Sequence, residues 1–196
     1  MTQLPRSPRS PAVVVAVLTL VVVAAAGYHL GWPEPPRALA AASGERPPIG
    51  FRAGAPSIDA LIDQFLAAVE RKDLESMHRL RVTKDEYLAI IVPGTVEKEQ
   101  PPRQVSEEPS QFFWALNDRK SRYAAEAIVE RFGGRRVTAH TLRFSRGTTE
   151  YLWYTARGQV RLALTLADDP NVAELRTGTI AEVDGRYKFL AFQWND

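Results

Sequence analysis

The chain divides into three patterns of apolar and polar positions. The first is an almost unbroken apolar run from Ala12 to Trp32, AVVVAVLTLVVVAAAGYHLGW, with no charged side chain between Arg9 and Glu34. As a helix this stretch spans about 31 Å at about 1.5 Å per residue, enough to cross a bilayer core. The second is helical periodicity. Ile58, Leu61, Ile62, Phe65, Leu66 and Val69 recur at i, i+3, i+4, i+7, i+8 and i+11, behind Ser57 as N-cap. Asp73 opens a short helix through Leu74, Met77 and Leu80. Thr83 and Glu86 form a capping box ahead of Tyr87, Leu88, Ile90 and Ile91, and Pro93-Gly94 ends that helix. Residues 95–108 are polar and read as a loop. Pro109 starts a long helix that stops at Gly133-Gly134.

The third pattern is strand-like. Strands are expected at 136–145, 148–156, 159–167, 173–183 and 186–194, with turns at Arg146-Gly147, Arg157-Gly158 and, most strongly, Asp184-Gly185. Asp168-Asp169-Pro170-Asn171 reads as a further turn. With two-residue turns, His140 faces Trp153, Leu142 faces Tyr151, Trp153 faces Leu162 and Tyr151 faces Leu164. The opposite face then pairs Arg143 with Glu150 and Tyr154 with Arg161. In the last hairpin Ile180 faces Phe189 and Thr179 faces Leu190. Both of its faces are partly apolar, so both are expected to be covered.

Composition and charge refine this layout. Nine of the 14 prolines fall in the first 56 residues, so 33–56 reads as an extended linker. Residues 1–56 carry five basic and two acidic side chains, while 57–196 carry 20 basic and 21 acidic ones. The basic excess therefore lies outside the folded part, and a nucleic-acid partner is not expected. Arg6 and Arg9 precede the apolar run, which keeps residues 1–11 cytoplasmic and sends the rest outward. Tyr28 and Trp32 fit an interfacial belt. A cleaved signal peptide is the competing assignment, with Ala24-Ala25-Ala26 as its cleavage site. On either assignment 57–196 is an extracytoplasmic domain, periplasmic or extracellular. Cysteine is absent, which excludes disulfides, thiolate metal sites and cysteine nucleophiles.

Candidate chemistry is sparse. None of the phosphate-cradling, nucleophile-elbow or zinc-helix motifs occurs. The three histidines, His29, His78 and His140, lack the spacing of a metal site, and no cofactor is expected. The inferred apolar face makes His140, Tyr151 and Trp153 the candidate ligand-binding residues, with Trp194 as a further aromatic that lines the cavity or belongs to the core, and Glu182 as a carboxylate near Tyr187. No residue is assigned a catalytic role. The polar stretch Asn117–Arg122 in the long helix is either a solvated face with ion pairs along Asp118, Arg122 and Glu126 or a basic contact patch.

Helices followed by antiparallel strands imply an α+β domain, with helices on one face of a curved sheet of about five strands. Over 57–196 this order, with the segments SIDALIDQFLAAVERKDLESM and EVDGRYKFLAFQW, resembles the NTF2-like (cystatin-like) superfamily. That resemblance implies a conical cavity between helices and sheet. The superfamily's usual strand or hairpin before its last long helix is missing here. An anchored domain of this kind also resembles assembly components of bacterial secretion systems. Three functions are therefore expected: a membrane-anchored domain binding a protein or small ligand, a small-molecule enzyme using His140 in an aromatic cavity, or a structural part of an envelope assembly.

Overall fold

The computed structural model describes residues 50–104 and 106–194. The expected cytoplasmic segment, the 12–32 span and linker residues 33–49 lie outside the described residues. Among the described residues no helix is long and apolar enough to cross a membrane.

The helices form where their caps place them. Helix α1 (Ile58–Glu70) starts at Ser57, whose hydroxyl accepts from the Ala60 amide, and buries Leu61, Ile62, Phe65, Leu66 and Val69. Helix α2 (Leu74–Arg79) starts at Asp73, which accepts from the Ser76 amide. Thr83 and Glu86 make the expected capping box over α3 (Lys84–Glu86). The chain then widens into a π-helical turn, Tyr87–Ile91, in which the Val92 amide reaches back to the Tyr87 carbonyl. Pro93 accounts for this. It has no N–H for the Ala89 carbonyl, and its ring crowds that carbonyl, so the wider turn relieves the clash. Helix α4 (Val92–Gly94) follows. Helix α5 (Glu107–Phe132) ends with the Gly133 amide on the Val129 carbonyl.

The strands are β1 (Val137–Phe144), β2 (Thr148–Glu150), β3 (Thr155–Arg157), β4 (Val160–Leu166), β5 (Asp169–Arg176), β6 (Thr179–Val183) and β7 (Arg186–Ala191). They form a three-stranded sheet, β1-β4-β5, and a four-stranded sheet, β2-β3-β6-β7, antiparallel throughout. Two of the expected turns are not turns. Ser145 and Arg146 donate to the carbonyls of Gln159 and Gly158, and Gly158 donates to Gly147. Segments 137–150 and 155–166 are therefore one long hairpin, bent where β1 passes into β2. Its tip is the turn Tyr151–Tyr154, closed by the Tyr151 amide on the Tyr154 carbonyl at 2.8 Å.

One residue is in excess on the β1–β2 side between the pairs Phe144↔Val160 and Thr148↔Arg157, so the bend is a bulge. Strand 173–183 bends too, at Thr177-Gly178, so that β5 joins one sheet and β6 the other. Glycine is required at two of these places. A Cβ on Gly178 would lie 1.5 Å from the Ala191 carbonyl oxygen, and one on Gly158 would lie 2.7 Å from the Arg146 Cβ.

The cross-strand pairs change accordingly. His140 faces Leu164 and Leu142 faces Leu162, so the expected pairs His140–Trp153, Leu142–Tyr151, Trp153–Leu162 and Tyr151–Leu164 do not form. Arg143 faces Arg161, not Glu150, and Tyr154 lies in the hairpin tip, not opposite Arg161. The turn before β5 is Ala167-Asp168, and Asp169 already pairs with Leu166. In the last hairpin Ile180 does face Phe189, but a register shift puts Thr179 opposite Ala191. Asp184 and Gly185 both have positive φ, 51° and 67°, as a type I′ turn requires.

Helices cover more than one sheet face. Leu162, Leu164, Leu175, Ile180, Phe189 and Phe192 join α1 and α5 in one core. Ala181 and Val183, alternating with Ile180 along β6, pack with Val82, Ile90, Ile91, Tyr154 and Ala156 in a second. The segment around α3 and the π-turn therefore lies on the opposite face of the four-stranded sheet, which corrects the one-face expectation. Between these layers Lys188 meets Glu86. The outer edge of β7 is covered: Ala55 exchanges both backbone hydrogen bonds with Tyr187, and Leu80 and Val82 bond Phe189. The folded part thus begins before Ser57.

Candidate functional site

The expected site residues are not assembled. His140 is exposed on β1, an edge strand. Tyr151 and Trp153 lie at the hairpin tip and pack against the second core. There they serve docking. Gly94 leaves room for Trp153, because a Cβ on it would lie 3.2 Å from the Trp153 Cβ. Tyr151 stacks on Tyr154 with ring centroids 4.7 Å apart. The Tyr154 hydroxyl is 2.9 Å from that of Thr95. Burial pushes the Tyr154 phenol up to about 12, against the opposing pull of the Thr95 hydrogen bond. Glu182 pairs across the hairpin with Tyr187 and accepts from Arg157 at 2.8 Å. No group of three or more His, Asp or Glu residues among those described can hold a metal ion.

A roomier concavity lies elsewhere. A groove of about 580 Å³ runs between α5 and the C-terminal segment, lined by Arg119, Lys120, Tyr123, Phe192, Gln193 and Trp194 with Ala124. Its two walls are joined at the buried Ser121, whose hydroxyl accepts from the Phe192 amide at 2.5 Å and donates to the Phe192 carbonyl at 3.5 Å. Ser121 projects from the core side of α5, and Arg119, Lys120 and Tyr123 follow the helix round to its open side. Trp194 is held at the far end, with its ring 6.5 Å from that of Phe132 and the Arg131 guanidinium 5.8 Å from its centroid.

Behind the groove, a charged brace fixes α5. Arg81, almost fully buried, donates to Asp118 at 3.0 Å, and Arg122 donates to the other Asp118 oxygen at 2.8 Å. The Arg81 guanidinium also lies 5.9 Å from the Trp114 ring and 6.0 Å from the Phe192 ring. Burial acts to raise the Asp118 pKa, but the hydrogen bonds and charges of Arg122 and Arg81 outweigh it and hold the carboxyl below its ordinary value. His78 is moved down, first by burial and then by the charges of Arg122 and Arg81. Asp118 and Arg122 do form the expected i, i+4 pair, but Arg81 turns that pair into a partly buried bridge between α5 and the end of α2. Sequence signals for this were weak, because Arg81 follows α2 as an ordinary helix-end cation.

The polar stretch Asn117–Arg122 was the sequence signal for the groove, since it contains Arg119 and Lys120. On the opposite wall Trp194 is one of the aromatics expected to line a cavity, but with Tyr151 and Trp153, while Phe192 and Gln193 read only as the end of a strand. Two cations beside the exposed Tyr123 and the half-buried Trp194, with Phe192 beneath, can neutralise an anionic group and cover an apolar or planar body attached to it. No protein-family model, curated protein or solved structure matches this chain.

Proposed function

We propose that the chain is a single-pass membrane-anchored protein whose extracytoplasmic α+β domain binds a ligand or partner segment carrying an anionic group on an apolar or planar body. The groove between α5 and residues 192–194 is the binding site in this assignment. The observation that carries it is the lining: Arg119 and Lys120 beside Tyr123, Phe192 and Trp194 around about 580 Å³ of open space, a volume within the range of small-ligand sites. The apolar run 12–32 behind Arg6 and Arg9 supports the anchor and its orientation. The helices-first order, and three long strand segments bent in line between the two sheets, support an NTF2-like layout for the domain.

The anchor and the groove are tested separately. Fractionation of cells with N-terminal sequencing reads whether the full chain stays in the membrane with residues 12–32 intact. Titration of the full chain with naphthalene-2-sulfonate, a small planar anion, reads the groove through tryptophan fluorescence. Saturable binding that is lost in Arg119→Glu/Lys120→Glu supports the proposal. Binding unaffected by that double substitution contradicts it.

A further inference from the structure

We propose a second binding site, for a tetrahedral oxyanion of the phosphate type, on the outer face of the three-stranded sheet. Arg143 pairs with Arg161 on β4, and Arg161 pairs with Arg176 on β5. Cross-strand partners project from the same face with Cβ atoms about 4.5–5.5 Å apart. Three guanidinium groups therefore stand in one row across about 10 Å of sheet, at the usual strand spacing. Their face is the one opposite Leu162, Leu164 and Leu175, which are buried in the core. No helix among those described lies over it: Arg161 and Arg176 are 37% and 47% exposed, and Val172, four residues from Arg176 on the same face of β5, is 68% exposed.

Like charges set directly opposite each other cost stability, and little in the domain offsets this cost. One oxygen of Glu174 accepts from both Arg161 Nη1, at 3.1 Å, and Arg176 Nε, at 2.8 Å. Arg143 has no ion pair with a described residue. The row thus keeps an excess of positive charge and several unused N–H donors.

A second feature points to the same place. Ser145 and Gln159 line, with Arg161 and Arg176, a depression of about 30 Å³, about the size of one water molecule. The planar forks of the row match the oxygens of a tetrahedral anion. A carboxylate has only two oxygens and leaves part of the row unused.

The test is calorimetric titration of the full chain with inorganic phosphate, against chloride at matched ionic strength. The expected result is saturable binding of one phosphate per chain. Arg143→Ser/Arg161→Ser should weaken it at least tenfold. Arg186→Ser, a change at the exposed β6–β7 turn, should leave it unchanged. If the serine pair does not melt cooperatively, Arg143→Lys retains the charge without the fork and should still weaken binding several-fold. Glycerol 1-phosphate distinguishes sources. Tighter binding than inorganic phosphate identifies a phosphate ester such as a lipid headgroup, and equal binding identifies the free ion. Heats identical to chloride, or equal binding by wild type and the arginine variants, would overturn the proposal.

Discussion

Lys188 on β7 donates to both carboxylate oxygens of Glu86 at 2.9 Å each, with the two side chains 3% and 1% exposed. Glu86 is also the capping residue of α3 and accepts from the amides of Thr83 and Arg52. One carboxylate thus joins the chain before α1, the helical segment and the last strand. Removing one member leaves the other buried and uncompensated. Lys188→Met should cost about 3–5 kcal/mol in urea unfolding. The double variant Glu86→Gln/Lys188→Met should cost clearly less than the two single changes added together. Additive effects would show that the pair is not coupled.

Ser121 holds the C-terminal wall of the groove to α5. Ser121→Ala leaves the buried Phe192 amide without its acceptor, at a cost of about 1–3 kcal/mol. Anion binding in the groove should weaken in the same variant. Unchanged binding beside unchanged stability would show that this hydrogen bond does not set the wall.

The bends in the strands separate two glycines. Gly178→Ala places a Cβ 1.5 Å from a backbone oxygen and should abolish cooperative folding, whereas a Cβ on Gly147 meets nothing within 4 Å. Gly147→Ala should leave the midpoint of thermal unfolding within a few degrees of wild type. Equal effects at both positions would contradict the bent-hairpin register.

His78 gives the domain a mildly acidic pH dependence. Its folded pKa is lowered from the ordinary value of 6.5, first by burial and then by Arg122 and Arg81. The unfolded chain therefore binds the proton more readily. The contribution of neutral His78 is fully present above pH 6.5 and is lost as pH falls from there through the folded pKa. His78→Gln should flatten the change in urea midpoint between about pH 5 and 7. A slope identical to wild type would place that dependence elsewhere. Asp118, also lowered, loses its contribution only further into acid, below the ordinary carboxylate value.

The helices were legible because their determinants are local. Ser57, Asp73 and the Thr83–Glu86 box each bond an amide within three residues. The Asp184-Gly185 turn was legible for the same reason. The sheet was not. Arg146-Gly147 and Arg157-Gly158 have turn composition, yet they lie side by side across a bulge, and a bulge is decided by packing between distant strands. Alternation along β6 was also ambiguous, because Ile180 and Ala181 are both apolar and enter different cores. The error carried over to the candidate site: His140 was joined to Trp153 only by the mistaken register. For the groove, one wall was visible as the basic stretch of α5. The other depends on the contact between Ser121 and Phe192, far apart in the chain.

We place binding in the groove and not in the region of His140. A photo-crosslinking residue placed at Tyr123 of the full chain in cells, compared in three backgrounds, tests this. The predicted result is a discrete cross-linked product that persists in His140→Ala and disappears in Arg119→Glu/Lys120→Glu. A product that survives the charge reversal, or that is lost with His140→Ala, would contradict the account.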